Sequence, residues 1–406
     1  MSENGVPDLN RRDFLQTGAA ATALTLATSA TGHAAPAATA KPAVLPRRTL
    51  GRTGVDVTIL NQGTWKSPDS LDRLLRMGYA GGLRYIDTAD CYGSEPGIAK
   101  WFEAMPAGTR KEIFLATKDH PRTPRELIAQ LDHRLAALKT DYVDLIFIHG
   151  IGGRDKLDWP KSQEFKETAA AIKKSGKARF VGFSCHDALK VEFLKSAAEG
   201  GFVDAIMVAY TPTWLDKGQE MDRALDACHK AGIGLISMKQ VAGNTEKFLK
   251  EVPKHVPSMQ EKGLTGYQAL LHAVWTDERI SSSCVSMRNT DQLRENLHAA
   301  RVFEPLKQAE MDGLRDALLA AGPTFCANCD GSCSRAAGTD ADLGNLTRLL
   351  TYHDHYGFRS DARRLYADLD EAARDWKGAD LEAARQACHS KLNFADLLPR
   401  VERDLA

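Results

Sequence analysis

Residues 113–150 read IFLATKDHPRTPRELIAQLDHRLAALKTDYVDLIFIHG. A short apolar run, Ile113–Lys118, is followed by an amphipathic stretch, Pro124–Leu138, and then by a second apolar run, Leu145–Gly150. Runs this short suit strands buried on both faces, and the stretch between them suits a helix. The alternation recurs on either side. Further strands are expected at Val57–Trp65, Arg84–Asp90, Phe180–Cys185, Ala205–Tyr210, Gly234–Lys239 and Cys284–Arg288. Helical patterns occupy Ser162–Ser175, Ala188–Glu199, Gln219–Ala231 and Thr265–Trp275. Eight β–α units within about 270 residues are the count for a closed (β/α)8 TIM barrel, an α/β fold. A doubly wound open sheet is the rival. It would want a Gly-x-Gly-x-x-Gly turn after an early strand, and the sequence contains none there.

The chain has 406 residues, of which 43% are hydrophobic and 26% charged, enough for a deep core. Lys+Arg and Asp+Glu both number 53, so no net basic field exists to hold nucleic acid. The 32 glycines and 16 prolines are near average usage and exclude collagen-like and low-complexity classes. Three regions are expected: a leader and linker over 1–40, the barrel over 47–318, and a small helical extension over 319–406.

The leader carries Arg11-Arg12 ahead of Phe14-Leu15, then an uncharged stretch from Phe14 to Ala30, 17 residues long. It is too short and too rich in Ala and Thr for a membrane span, and no later apolar run approaches that length. The arginine pair resembles a twin-arginine export signal, which implies the twin-arginine machinery as a partner and a soluble, periplasmic or otherwise extracytoplasmic mature protein.

Barrel chemistry sits where strands end at the carboxyl face. Those ends supply Asp87, Lys118 and His149, with Tyr92 in the loop after Asp87. One buried His or Lys is ordinarily a satisfied core group. Four such groups on three consecutive strand ends are hard to explain by packing. The segments Tyr85-Ile-Asp-Thr-Ala-Asp-Cys-Tyr-Gly, Ala116-Thr-Lys and Leu145-Ile-Phe-Ile-His, with Gly63-Thr64-Trp65, resemble the aldo-keto reductase family from residue 47 to about 310. The resemblance implies that Asp87, Tyr92, Lys118 and His149 form a catalytic tetrad. A phenol is a weak acid at neutral pH, and a neighbouring Lys118 ammonium, oriented by Asp87, is expected to lower its pKa. His149 would hydrogen-bond the substrate oxygen.

The same resemblance implies a nicotinamide cofactor, NADP(H), and a small carbonyl or sugar substrate. Gly63, Thr64 and Trp65 belong to the expected cofactor site, as do Ser184 and Tyr210, with Tyr210 expected to stack on the nicotinamide. Met238 and Lys239 match the segment after the pyrophosphate, and Arg288, Gln292 and Asn296 match the adenosine end. Arg288 is suited to a 2′-phosphate. The sequence departs from the family in placing Cys185 and Met207 where relatives hold the carboxamide with Asn and Gln.

The extension contains Cys326-Ala-Asn-Cys329-Asp-Gly-Ser-Cys333 and a distant Cys388, among helical patterns at Ala341–Tyr356, Asp361–Tyr366 and Leu381–His389. Three thiolates in a Gly-containing turn with one distant Cys suit a [4Fe–4S] cluster, and the tail resembles a reduced ferredoxin-like extension found in some aldo-keto reductases. The spacing also admits a four-cysteine zinc site or disulfides. Two functional alternatives to hydride transfer remain beside it: an exported iron–sulfur module passing electrons to a redox partner, and a non-catalytic nucleotide-binding protein.

Overall fold

The computed structural model describes residues 44–68, 71–153, 155–212, 218–240, 245–321, 326 and 330–406. The leader and Cys329 lie outside the described residues. The chain enters as an antiparallel pair, β1 (Arg47–Thr49) and β2 (Asp56–Thr58), joined in register Arg47↔Thr58. Eight parallel strands follow: β3 (Leu60–Gly63), β4 (Tyr85–Asp87), β5 (Phe114–Asp119), β6 (Val143–Ile148), β7 (Ala178–Cys185), β8 (Ala205–Ala209), β9 (Gly234–Met238) and β10 (Ile280–Ser286). They close into a barrel in sequence order, with β10 pairing β3 and β9. This is the expected (β/α)8 barrel with a helical C-terminal extension.

Alternation along each strand builds the two cores. Leu145 and Phe147 point into the barrel with Tyr85, Phe114, Ala116 and Met207, while Ile146 and Ile148 point outward to the helices. The helix Leu127–Leu138 answers with Leu127, Leu131, Leu135 and Leu138, all buried on one stripe. Each such leucine contributes about 1.5–3 kcal/mol on burial. The β1–β2 pair plugs the amino end of the barrel, where Leu50 and Val57 join the interior core. The turn between them demands glycine: Gly51 has φ +50°, and a Cβ there would lie 2.3 Å from the Gly234 nitrogen.

Several strand boundaries shift from the sequence reading, and two of the shifts have a clear physical cause. The run Val57–Trp65 is divided, because the chain turns at Ile59, whose nitrogen donates to the Pro46 carbonyl at 3.0 Å. Strand β10 begins four residues before Cys284. Three serines disguised its start. Ser281 and Ser282 donate to the Thr49 and Thr58 carbonyls at 3.0 and 2.8 Å, and Ser237 donates to Ser283 at 2.9 Å. Each polar atom is thereby satisfied inside the fold.

The extension forms its own core. Helices Leu343–Asp354, Arg359–Ala367, Leu381–Ala387 and Phe394–Leu405 pack Leu343, Leu346, Leu350, Phe394, Leu398 and Val401 together. The last of these helices was not expected, and it carries Pro399, a residue that argues against helix in a sequence reading. No described helix is long and apolar enough to cross a membrane.

Candidate active site

Asp87, Lys118 and His149 share strand parity with the inward-facing Tyr85, Ala116 and Phe147, so they extend the interior stack at the carboxyl end. The Lys118 ammonium donates to Asp87 Oδ1 at 2.5 Å and to the Thr88 carbonyl at 2.8 Å, and both side chains are buried. The Lys118 nitrogen lies 5.2 Å from the Tyr92 ring centre. The Tyr92 hydroxyl stands 3.5 Å from His149 Nε2, with the two rings edge to face. All four expected groups therefore meet at one place.

The loop carrying Tyr92 is tied down from below. Arg134, on the helix behind it, pairs with Asp90, with Glu95 at 2.8 Å and with Asp119 at 3.1 Å. Ser94 exchanges hydrogen bonds of 2.8 Å with both Thr64 and Thr88. Holding a loop residue this firmly requires several charge-assisted bonds.

The electrostatics depart from expectation at Tyr92. Burial, followed by the Asp87 carboxylate, holds its phenol well above the ordinary value. Burial also pushes the Asp87 carboxyl up, against the pull of Lys118. The Lys118 charge is committed to Asp87 and does not lower the phenol. Tyr92 is consequently a fully protonated donor at neutral pH.

The expected cofactor residues separate into three groups. Thr64 donates to the Asp87 carbonyl at 2.9 Å, and Gly63 packs against Cys284 and Ser286, so these shape the mouth from within. Ser184 accepts from the Gly150 nitrogen at 2.9 Å. Met238 borders the interior core. Asn296 is buried on the helix Thr290–Arg301, and Gln292 accepts from the Arg288 nitrogen at 2.9 Å. Tyr210 is a correction. Its side chain packs in the layer between barrel and helices, its hydroxyl donates to Asp277, and it is not presented for stacking.

Trp65, Lys239 and Arg288 meet the extension, which the sequence did not reveal. The Trp65 ring lies 5.5 Å from Tyr352 and 5.3 Å from Phe358. Lys239 donates to the Tyr352 hydroxyl at 2.8 Å, Arg288 sits 5.3 Å from the Phe358 ring centre, and Lys66 pairs with Asp361 at 2.7 Å. Arg348 also donates to the Tyr352 hydroxyl at 2.5 Å. Although desolvation opposes it, the paired cations Arg348 and Lys239 bring the Tyr352 phenol down to about 8. Burial, then Arg348, brings Lys239 down to about 8 as well.

The closed contact should thus release a proton near pH 8, where a free tyrosine would wait until about 10. Closed, it holds fewer protons between these values, so closure strengthens as pH rises from 8 towards 10 and weakens as pH falls through 8. An ultraviolet tyrosinate titration should show one early tyrosine. Tyr352→Phe should abolish it, and its survival in that variant would refute the assignment.

Three of the four tail cysteines are described, and all three join one core. Cys333 and Cys388 are buried and Cys326 is half-buried against the same core, and the short helix Ser332–Ala336 packs on the helix Leu381–Ala387 that ends at Cys388. A Cβ on Gly344 would lie 3.3 Å from the Cys326 sulfur. Neighbouring Asp330 is buried; against that desolvation, His389 and Ser332 hold its carboxyl well below the usual range.

Cys91 and His120 also stand at the mouth close to His149, and the sequence reading did not single them out. His120 follows Lys118 at a spacing of two, which in an extended chain is the same face, and that signal was available. Cys91 adjoins Tyr92 but draws attention only once the fold brings His149 to it.

Residues 58–318 match the sequence family described as the aldo/keto reductase family, and residues 8–28 match the twin-arginine translocation pathway signal sequence. L-glyceraldehyde 3-phosphate reductase of Escherichia coli O157:H7 is 23% identical over 322 residues, covering 65% of this chain and 91% of that protein. D/L-glyceraldehyde reductase of Hypocrea jecorina is 25% identical over 296 residues, covering 64% and 82%. A solved structure described as a candidate 2,5-diketo-D-gluconic acid reductase B is 22% identical, with a TM-score of 0.51, and covers 68% of this chain and 92% of its own. That likeness is one of fold.

Proposed function

Because this chain belongs to the aldo/keto reductase family, we propose that it is an exported oxidoreductase exchanging hydride between NADP(H) and a small carbonyl compound or sugar. The observation that carries this reading is the buried Lys118–Asp87 pair beside Tyr92 and His149, on three consecutive strand ends. When bound at the mouth, the nicotinamide would supply or take the hydride. In the reducing direction Tyr92, held protonated, gives its proton to the carbonyl oxygen. His149 Nε2, 3.5 Å from that hydroxyl, orients the same oxygen. The buried Lys118–Asp87 pair fixes the Lys118 ammonium 5.2 Å from the Tyr92 ring centre. Glyceraldehyde-type relatives support a short, hydroxylated substrate. The experiment is direct: NADPH consumption by full-length protein, with short aldehydes and sugar ketones as substrates.

The twin-arginine signal supports action in the periplasm. It also suits a protein that folds around a prosthetic group before export. For the tail we propose one [4Fe–4S] cluster on Cys326, Cys329, Cys333 and Cys388, which would supply one-electron transfer to a redox partner. The convergence of three described thiols on one core, with a glycine beside Cys326, supports an all-thiolate site. Cys388→Ser should lower the iron content of anaerobically purified protein at least severalfold and expose the tail to protease, while the barrel stays folded. Full iron with a fully resistant tail would remove Cys388 from the ligand set.

A further inference from the structure

The turn between β4 and the following helix, and the ends of β5 and β6, bring together three side chains outside the Lys118–Asp87 pair. Cys91, His120 and His149 each offer one ligand atom, and these atoms all lie within 4.8 Å of one another. We infer that Cys91, His120 and His149 form a zinc-type metal site at the barrel mouth, with a fourth position open to substrate or water.

One ligand pair already stands at the separation that a shared metal requires. The Cys91 sulfur is 3.6 Å from His149 Nδ1. A tetrahedral zinc with bonds of about 2.3 Å to sulfur and about 2.05 Å to nitrogen requires a sulfur–nitrogen separation of about 3.6 Å. A thiol–imidazole hydrogen bond accounts for that pair but not for the third member. The His120 ring lies 4.4 Å from the His149 ring, tilted by 35°. One thiolate and two imidazoles form a borderline-soft set that suits zinc and its transition-metal neighbours, not calcium or magnesium.

The ligands stand on braced backbone. His149 nitrogen donates to the Asp119 carbonyl at 2.8 Å, which locks the ends of β5 and β6 together. Cys91 lies between Asp90, paired to Arg134, and Tyr92. A cavity of about 280 Å³ opens beside them, lined by His120, Arg122, His149 and Asp155 among others. Three protein ligands with an open fourth position facing a cavity is the arrangement of a catalytic rather than a closed structural zinc site.

The site has a consequence for Tyr92. Metal on His149 Nδ1 leaves the proton on Nε2, the nitrogen facing the Tyr92 hydroxyl, and so selects one tautomer of the imidazole. The site shares His149 with the proposed hydride-transfer groups, while its ligand set is given by geometry alone.

The test uses full-length protein stripped with chelator and titrated with Co²⁺, then Zn²⁺. The difference between wild type and Cys91→Ser should be one equivalent of tetrahedral cobalt, with visible ligand-field bands and a thiolate charge-transfer band, all displaced by zinc. His120→Ala should weaken the same equivalent at least tenfold. Both side chains are exposed, so both variants should fold, as circular dichroism would verify. Cobalt held by the tail thiols persists in both variants and cancels in the difference. An unchanged cobalt spectrum or unchanged affinity in either variant would overturn the site.

Discussion

Replacing Tyr92 with Phe should cut turnover of carbonyl reduction by about 10²–10⁴-fold, the usual worth of a positioned general acid. Nucleotide affinity should stay within error, since only the hydroxyl is lost and the ring keeps its edge-to-face contact with His149. Paired measurements of kcat and nucleotide Kd separate the two effects. The direction of the Tyr92 shift adds a second requirement. Burial and Asp87 keep the phenol protonated through and above neutral pH, so wild-type reduction should show no alkaline loss from this group below pH 10. Wild-type turnover in Tyr92→Phe would mean that the proton comes from elsewhere, and the reading of the tetrad would fall with it.

The second large effect concerns the tail. Tyr352 and Phe358 pack on Trp65 and cover Lys239 and Arg288, three of the residues expected to hold the nucleotide. A nucleotide using those groups must first lift the tail. An aromatic pair contributes about 0.5–1.5 kcal/mol beyond its buried area, and a hydrogen bond to a charged group about 1.5–3 kcal/mol. Removing them with Tyr352→Ala and Phe358→Ala together should raise apparent NADPH affinity about a hundredfold, because the competent fraction of the protein rises. Protease sensitivity confined to residues after 330 would confirm that the tail has opened. An opened tail with unchanged NADPH affinity would show that the extension does not compete for the nucleotide site.

The two parts of the fold were not equally legible. Barrel strands announce themselves because a strand buried on both faces must be nearly all apolar, as Val143–Ile148 is. Serines 281–283 broke that rule, since their hydroxyls find partners on β2, β9 and the β1 end that no local pattern encodes. Tyr210 misled for a related reason. A tyrosine at a strand end reads the same whether it faces the mouth or, as here, packs outward onto Asp277.

What the sequence by itself determined is the part governed by short-range periodicity. It specifies eight strands alternating with helices, and the parity that sends Asp87, Lys118 and His149 to one end of one cavity. Only the tertiary structure decided how distant groups meet. The Lys118 charge is committed to Asp87 and leaves Tyr92 protonated; Cys91 comes to His149 and His120; the tail lies across Lys239 and Arg288. The reason is physical. Alternation of apolar residues is set between neighbours along the chain, whereas desolvation and charge pairing depend on which surfaces close over a group, and those surfaces come from segments as far as 295 residues away.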